Sequence, residues 1–321
     1  MKLVFLGSDE FAVPTLDALA GCSKHTIAGV VSQPDRPSGR GRHLHPTPVS
    51  QWALAHGLPL IRPASVNLDE VRQAIAQWNG AIGVVVAFGQ KIGNDVLNLF
   101  AHGCINLHGS LLPRYRGAAP IARAILNGET VTGLTLFRLV SRMDAGPIVW
   151  QGASPIEPTE TAGDLRHRLA LLGGPAVVAT LDAIESGQAQ FVPQDDSLAT
   201  SAHKLSKLDS AIDWNQPAGV IAARIRGLFP WPGVHVRYVG QSGRTEEVLL
   251  ARAVPEAAGP EPQAASASGE AGVLRADLAV SAGLGAVRLL EVKPAGGRLM
   301  SFADYARGRH VRPGDILEPL R

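Results

Sequence analysis

The chain of 321 residues holds only two cysteines, Cys22 and Cys104. Their separation matches no metal-ligand spacing, which argues against a zinc site and a disulfide scaffold, and for a reducing compartment. Long apolar runs are missing as well. The stretch Val84–Phe88 falls far short of the ~18 residues a membrane span needs. There is no excess of one charge: 30 basic against 28 acidic residues leave a net charge of +2. This excludes a histone-like polycation but permits a local basic patch, which is all that nucleic-acid contact needs. The start, Lys2–Gly7, runs straight into a strand-like segment with no leader pattern, so the expectation is a cytoplasmic protein. Three motifs are also absent. Without G-x-G-x-x-G a dinucleotide-dependent oxidoreductase is unsupported, and without G-x-x-x-x-G-K-[ST] a P-loop NTPase is excluded. Ser110 lacks the G-x-S-x-G elbow of serine hydrolases.

What is present is a chain with 45% hydrophobic residues, enough for ordinary cores and, at roughly 100–200 residues per domain, for two or three domains. Short apolar runs alternate with helical stretches. Strands are expected at Lys2–Gly7, Thr26–Ser32, Leu60–Arg62, Ala81–Ala87, Cys104–His108 and Thr132–Val140, with an edge strand at Ile148–Ala153. Helices are expected from Pro14, near Asp69–Gln77 and over Pro120–Asn127. This alternation predicts a parallel sheet covered on both faces. A helix is expected over Thr161–Ser186, broken or kinked at Gly173-Gly174-Pro175. After about Gly187 the character changes. Phe191–Thr200 is irregular and polar, and one helix (Pro217–Leu228) is followed by short β-like runs at Val234–Val239, Glu246–Ala253, Asp277–Ala282 and Ala286–Val292. Such spacing predicts a small barrel or sandwich. Residues 253–272 are Ala-rich and without Lys or Arg, and read as a disordered surface loop.

Three groups of residues carry chemistry. In Ile105-Asn106-Leu107-His108 the period of two puts Asn106 and His108 on one face of an extended segment. There an amide and an imidazole can converge on one developing oxyanion. Taken alone, an Asn-x-His is more often a turn asparagine beside a satisfied histidine. Asp144 follows the strand Thr132–Val140, where carboxylates line the ligand crevice of open α/β sheets. It can favour the cationic form of His108 and move a proton, or serve as an ordinary turn residue before Ala-Gly. Arg36, Arg40 and Arg42 lie in seven residues interrupted by Gly, Ser and Pro. Such a segment offers guanidinium forks to phosphates and orders on RNA, or is simply a solvated loop.

Taken together, these residues resemble the folate-dependent formyltransferases. The core likeness runs through CINLHGSLLPRYRGAAPI from Cys104 to Ile121 and MDAGP from Met143. Within that family the likeness is nearest to the members that formylate methionine on initiator tRNA. It is carried by FLGSDEFAVP from Phe5, QPDRPSGRGR from Gln33, KLSK from Lys204 with IDW from Ile212, and IRGLFPWPG from Ile225.

The resemblance implies a doubly wound, mostly parallel α/β domain of Rossmann-like form over 1–189, which binds 10-formyltetrahydrofolate. A linker over 190–208 and an OB-like β-barrel domain over 209–321 that helps hold tRNA would follow, with 253–272 as an insertion. By motif, Asn106, His108 and Asp144 take the catalytic positions. Phe88, Gly89, Gln90, Ser110, Leu111, Leu112, Pro113, Leu139 and Val140 fall where the family contacts the folate, and Arg36, Arg40 and Arg42 where it meets the acceptor stem. The implied partners are initiator methionyl-tRNA and 10-formyltetrahydrofolate as co-substrate, with no metal, no membrane and no obligate protein partner. Lys204, Lys207, Arg224 and Arg226 are further candidate basic contacts, although 209–321 carry 13 Lys/Arg against 12 Asp/Glu. The competing readings are a formyltransferase for a small amine, phosphoribosyl or nucleotide-sugar, and an RNA-binding protein without catalysis. The Arg-Gly loop and the second domain weigh against the first, and the intact Asn106, His108 and Asp144 against the second.

Overall fold

The computed structural model describes residues 1–38, 43–256 and 270–320. The first strands and helices are β1 (Lys2–Gly7), α1 (Val13–Ala20), β2 (Thr26–Val31), β3 (Arg36–Ser38), β4 (His43–His45), α2 (Pro48–Ala55), β5 (Leu60–Ile61), α3 (Asp69–Gln77) and β6 (Ile82–Val86). Then come α4 (Asn94–Leu97), β7 (Cys104–His108), β8 (Arg116–Gly117), α5 (Pro120–Leu126), β9 (Val131–Arg138), β10 (Ile148–Pro155) and α6 (Ala162–Glu185). The remainder is β11 (Ser201–Ala202), α7 (Ala218–Leu228), β12 (Val234–Val239), β13 (Thr245–Glu256), β14 (Val280–Ser281), β15 (Ala286–Pro294), β16 (Met300–Ser301), α8 (Phe302–Arg309) and β17 (Ile316–Pro319). No helix among the described residues is long and apolar enough to cross a membrane.

The chain divides into two compact units. One comprises Met1–Gly117, Gly133–Ser154 and Arg166–Ser201; the other comprises Ala118–Thr132, Pro155–Leu165 and Ala202–Arg321.

The first unit is built on a seven-stranded sheet in the order β10-β9-β7-β6-β1-β2-β5. β1, β2, β5, β6 and β7 pair in parallel. β9 pairs antiparallel to β7, so the sheet is mostly parallel, as expected. β1 and β6 are buried almost throughout, as strands covered on both faces must be. Val4, Leu6, Val31, Val85 and Cys104 meet Val71, Ile75, Val96 and Phe100 in one apolar cluster. Leu3 and Phe5, which point the other way along β1, are fully buried too.

The expected break at Gly173-Gly174-Pro175 does not occur, and α6 runs continuously from Ala162 to Glu185 with Pro175 inside it. The glycines serve close packing instead. A Cβ on Gly173 would collide with the Leu107 side chain of β7, and one on Gly174 would lie 2.8 Å from Ala18 Cβ of α1.

The second unit holds a six-stranded antiparallel sheet, β14-β15-β13-β12-β17, with β16 added to β15. Its two edges are joined by residues 273–274, since Val273 bridges to Ile316 and Leu274 to Val280. The sheet therefore nearly closes on itself, as an OB-like barrel does. α7 and α8 supply Ile221, Ile225, Phe302 and Tyr305 to its core. The expected disordered stretch 253–272 is corrected at both ends. Ala253–Glu256 belong to β13, and Gly272 donates to Ser281 O and accepts from Leu317 N within the closure. Gly272 has φ +87°, and a Cβ there would lie 2.9 Å from Trp214 Cδ1, so this end of the low-complexity run is tightly specified. Residues 257–269 lie outside the described ones.

Candidate active site

β7 places the site. Its side chains alternate faces, so Asn106 and His108 share one with Thr135 and Phe137, their partners across β9. His108 is 7% exposed and lies edge-on to Phe137, with ring centroids 6.4 Å apart. Its Nε2 is 2.9 Å from the backbone oxygen of Tyr115. Its Nδ1 faces Asp144 Oδ2 at 3.8 Å, too far for a direct hydrogen bond but within strong Coulomb range. Asn106 is half-buried, and its side-chain amide makes no hydrogen bond to any described residue.

Asp144 is held on several sides. Its Oδ2 accepts from Gly117 N at 2.8 Å. Its backbone has φ +47°, left-handed for a non-glycine residue. Gln194 Nε2 donates to Asp144 O and to Gly146 O, each at 2.8 Å. The structure thus brings Asn106, His108 and Asp144 to one end of the sheet, at the carboxyl end of β7, where open α/β sheets bind ligands.

The loops at the neighbouring strand ends converge there. Ser8 Oγ and Gln33 Nε2 donate to Phe88 O at 3.1 and 2.7 Å, which ties the ends of β1, β2 and β6 together. Gly89 has φ +75° and is exposed, and a Cβ there would strike the Gln33 amide. Gln90 is committed to scaffold: its Oε1 accepts from Val66 N and its Nε2 donates to Pro63 O. Ser110, fully buried, donates from Oγ to Arg114 O at 2.7 Å. Thr135 Oγ1 donates to Ser110 O and accepts from Leu112 N, while Gln151 Nε2 donates to Leu112 O. This bracing fixes Ser110–Pro113 beside His108. Leu139 packs against the apolar cluster that contains Phe88, and Val140 is exposed.

Cys104, at the start of β7, is no nucleophile. It is fully buried, and burial pushes its thiol up to about 12.

Arg36 lies exposed on β3 and donates to Gln33 Oε1. Arg40 and Arg42 lie outside the described residues. Two of the further basic candidates make hydrogen bonds within the fold. Arg224 donates to Ala211 O and Asp209 O. Arg226 is half-buried and donates to Glu160 O; burial and then the nearby Arg252 lower its pKa. Both guanidiniums are partly engaged by backbone carbonyls of the fold. Lys204 and Lys207 are exposed.

Comparison with known proteins decides the lineage. The formyl transferase family model matches residues 1–181, and that of the formyl transferase C-terminal domain matches 204–310. The methionyl-tRNA formyltransferase of Moorella thermoacetica is 43% identical over 321 residues, covering 99% of each chain. That of Pseudomonas fluorescens is 39% identical, covering 97% of this chain and 95% of its own. The chain belongs to the methionyl-tRNA formyltransferase family. Among solved structures, the sugar 3N-formyl transferase WlaRD, in the presence of dTDP and 5-N-formyl-THF, matches this formyltransferase with TM-score 0.63 at 18% identity, covering 92% of this chain and 97% of that one. HypX from Aquifex aeolicus, in complex with tetrahydrofolic acid, matches with TM-score 0.60 at 17% identity, covering 98% of this chain and 48% of that one. At such identities these two show a shared fold.

Several residues of this formyltransferase site had no signal in the sequence. Tyr115 acts through a backbone carbonyl, Gly117 through a backbone N–H, and Gln194 lies 50 residues beyond Asp144. Only the run from Cys104 to Ile121, which contains Tyr115 and Gly117, drew attention to any of them.

Proposed function

We propose that the chain transfers the formyl group of 10-formyltetrahydrofolate to the α-amino group of methionine esterified to initiator tRNA. The observation that carries this is the convergence of Asn106, His108 and Asp144 at the end of β7, in a chain 37–43% identical over nearly its whole length to methionyl-tRNA formyltransferases.

When bound, 10-formyltetrahydrofolate supplies an electrophilic formyl carbon on N10. The fixed Ser110–Pro113 turn, the exposed backbone at Gly89 and the apolar edge of Leu139 and Val140 fit a flat, hydrogen-bonding ring system. Ser110 and Gln90 shape these loops with side chains already committed, so their backbones are what would meet the ligand.

The attacking amine must be neutral, and an α-amino group with a pKa of about 8 needs only modest help. As nitrogen bonds to the formyl carbon, negative charge grows on the formyl oxygen. Asn106, whose amide is uncommitted, donates one hydrogen bond to it, and protonated Nδ1 of His108 donates another. Asp144 faces Nδ1 and helps to carry the amine proton towards N10 as the carbon–N10 bond breaks. The amine loses one proton and N10 gains one, so the exchange balances without a further reactant.

Arg36, Arg40, Arg42, Lys204 and Lys207 are the cations proposed for tRNA phosphates, with residues 209–321 assisting. A domain division at 1–189 and 209–321 remains part of this proposal.

The test is incubation with 10-formyltetrahydrofolate and methionine-charged initiator tRNA, with the released amino acid weighed for an added formyl group. Small amines run alongside, phosphoribosyl and nucleotide-sugar among them. Formylation of a small amine in preference to the charged tRNA would overturn the assignment.

A further inference from the structure

Residues 194–200 read as linker in the sequence and lie between the stretches matched by the two family models. In the structure they are wall. Thr200 O accepts from Arg116 N at 2.8 Å, and Thr200 Oγ1 accepts from Tyr115 N at 2.8 Å. Gln194 Oε1 accepts two bonds from the Arg116 guanidinium, at 3.1 and 2.7 Å. Asp196 lies 2.8 Å from the same guanidinium and 2.5 Å from Arg142.

The segment Tyr115-Arg116-Gly117, so anchored, reaches both members of the His–Asp pair. Tyr115 O accepts from His108 Nε2, and Gly117 N donates to Asp144 Oδ2. The side chain between them, Arg116, grips Gln194, whose amide spans Asp144 O and Gly146 O. These two carbonyls flank the Ala145 turn and need donors to hold Asp144 at φ +47°. A carboxamide is the one side chain of that length that can accept from a guanidinium with one end and donate to two carbonyls with the other.

We infer that Gln194 is a positioning residue for formyl transfer, clamped by Arg116, which sets the backbone of Asp144 and through it the distance from carboxylate to His108. This inference rests on the reaction proposed above. Both ends of the Gln194 amide are engaged within the protein, so its loss is expected to act on kcat more than on binding.

The test uses the full chain with charged initiator tRNA and 10-formyltetrahydrofolate. Gln194→Glu keeps the shape and the acceptor for Arg116 but turns an anionic oxygen towards two carbonyls. Its kcat is expected to fall about 100-fold, the scale of an ångström-size misplacement, with KM for both substrates within about twofold and an unchanged melting temperature. Gln194→Met, which loses the donors without adding charge, is measured in parallel in case the first variant folds poorly. A cycle with Asp144→Asn separates positioning from general damage: if Gln194 acts through Asp144, the double variant is hardly slower than Asp144→Asn alone. Turnover of both Gln194 variants within threefold of the parent, or losses that multiply in the cycle, would overturn the inference. A parent enzyme that gives no formylmethionine would instead overturn the reaction itself.

Discussion

His108 Nε2 and the carbonyl oxygen of Tyr115 lie 2.9 Å apart, and a carbonyl can only accept, so Nε2 carries the proton. The other nitrogen, Nδ1, then points at Asp144 as the atom where a proton is gained or lost. The ¹⁵N spectrum of the His108 imidazole at a pH where it is neutral is expected to show the Nε2–H tautomer. A spectrum showing Nδ1–H would mean that Tyr115 does not orient the ring.

Asn106 is placed to act on charge that exists only during reaction. Its amide has no hydrogen bond within the fold among the described residues, so removing it leaves little unsatisfied in the ground state. Asn106→Ala is expected to lower kcat by about 10²–10³, or ~3–4 kcal/mol in the barrier, while KM for tRNA and folate changes little. Steady-state kinetics with charged initiator tRNA measures this. A variant that turns over at the parent rate would remove Asn106 from the chemistry.

The parts of the site that could be read in the sequence are those that local periodicity governs. Asn106 and His108 share a face because strand side chains alternate, and Asp144 follows a strand end. What could not be read is made by atoms far apart in the chain or by the backbone itself. Gln194 in a polar, irregular stretch carries no sign that Asp144 is its partner. The direction of β9 was hidden because a buried strand has the same apolar run in either sense. Gly173 and Gly174 look like helix breakers until Leu107 and Ala18 are seen against them. Glycine tells of either freedom or close approach, and only the neighbour decides which. The Ala-rich stretch misled at its ends for a related reason: Gly272 is required by Trp214, which lies far from it in sequence.

The arginines after β2 make a prediction about salt. Phosphate contacts release counterions, so binding weakens as salt rises, with a slope set by the number of contacts. Arg42→Ala and Arg40→Ala are each expected to raise KM for charged tRNA and to lower the magnitude of its logarithmic salt slope by about 1. KM for 10-formyltetrahydrofolate should stay unchanged. Kinetics across a salt series measures both. Unchanged tRNA parameters in the two variants would leave the loop without a role in binding.

The last prediction concerns acid and the second unit. Asp315 is 2% exposed and accepts from Tyr238 OH at 2.6 Å, from Arg312 N at 2.7 Å and from Gln241 N at 3.0 Å. Burial raises its pKa, but the hydrogen bonds from Tyr238, Arg312 and Gln241 outweigh burial and hold the carboxyl below its ordinary range. Burial, and then the same contact with Asp315, push the Tyr238 hydroxyl up, so it stays a donor throughout. A carboxyl depressed in the folded state contributes stability that is fully present above its unfolded value of about 3.9. That contribution is lost as pH falls through the folded value. Asp315→Asn keeps the size but offers one acceptor where three donors converge, and is expected to cost about 1–3 kcal/mol at pH 7. Because the asparagine does not titrate, the gap between parent and variant should be constant from pH 7 to 5 and should shrink below about pH 4. Urea unfolding followed by Trp fluorescence over that range measures the gap. A gap that does not narrow on acidification would mean that the charge on Asp315 does not stabilise the barrel.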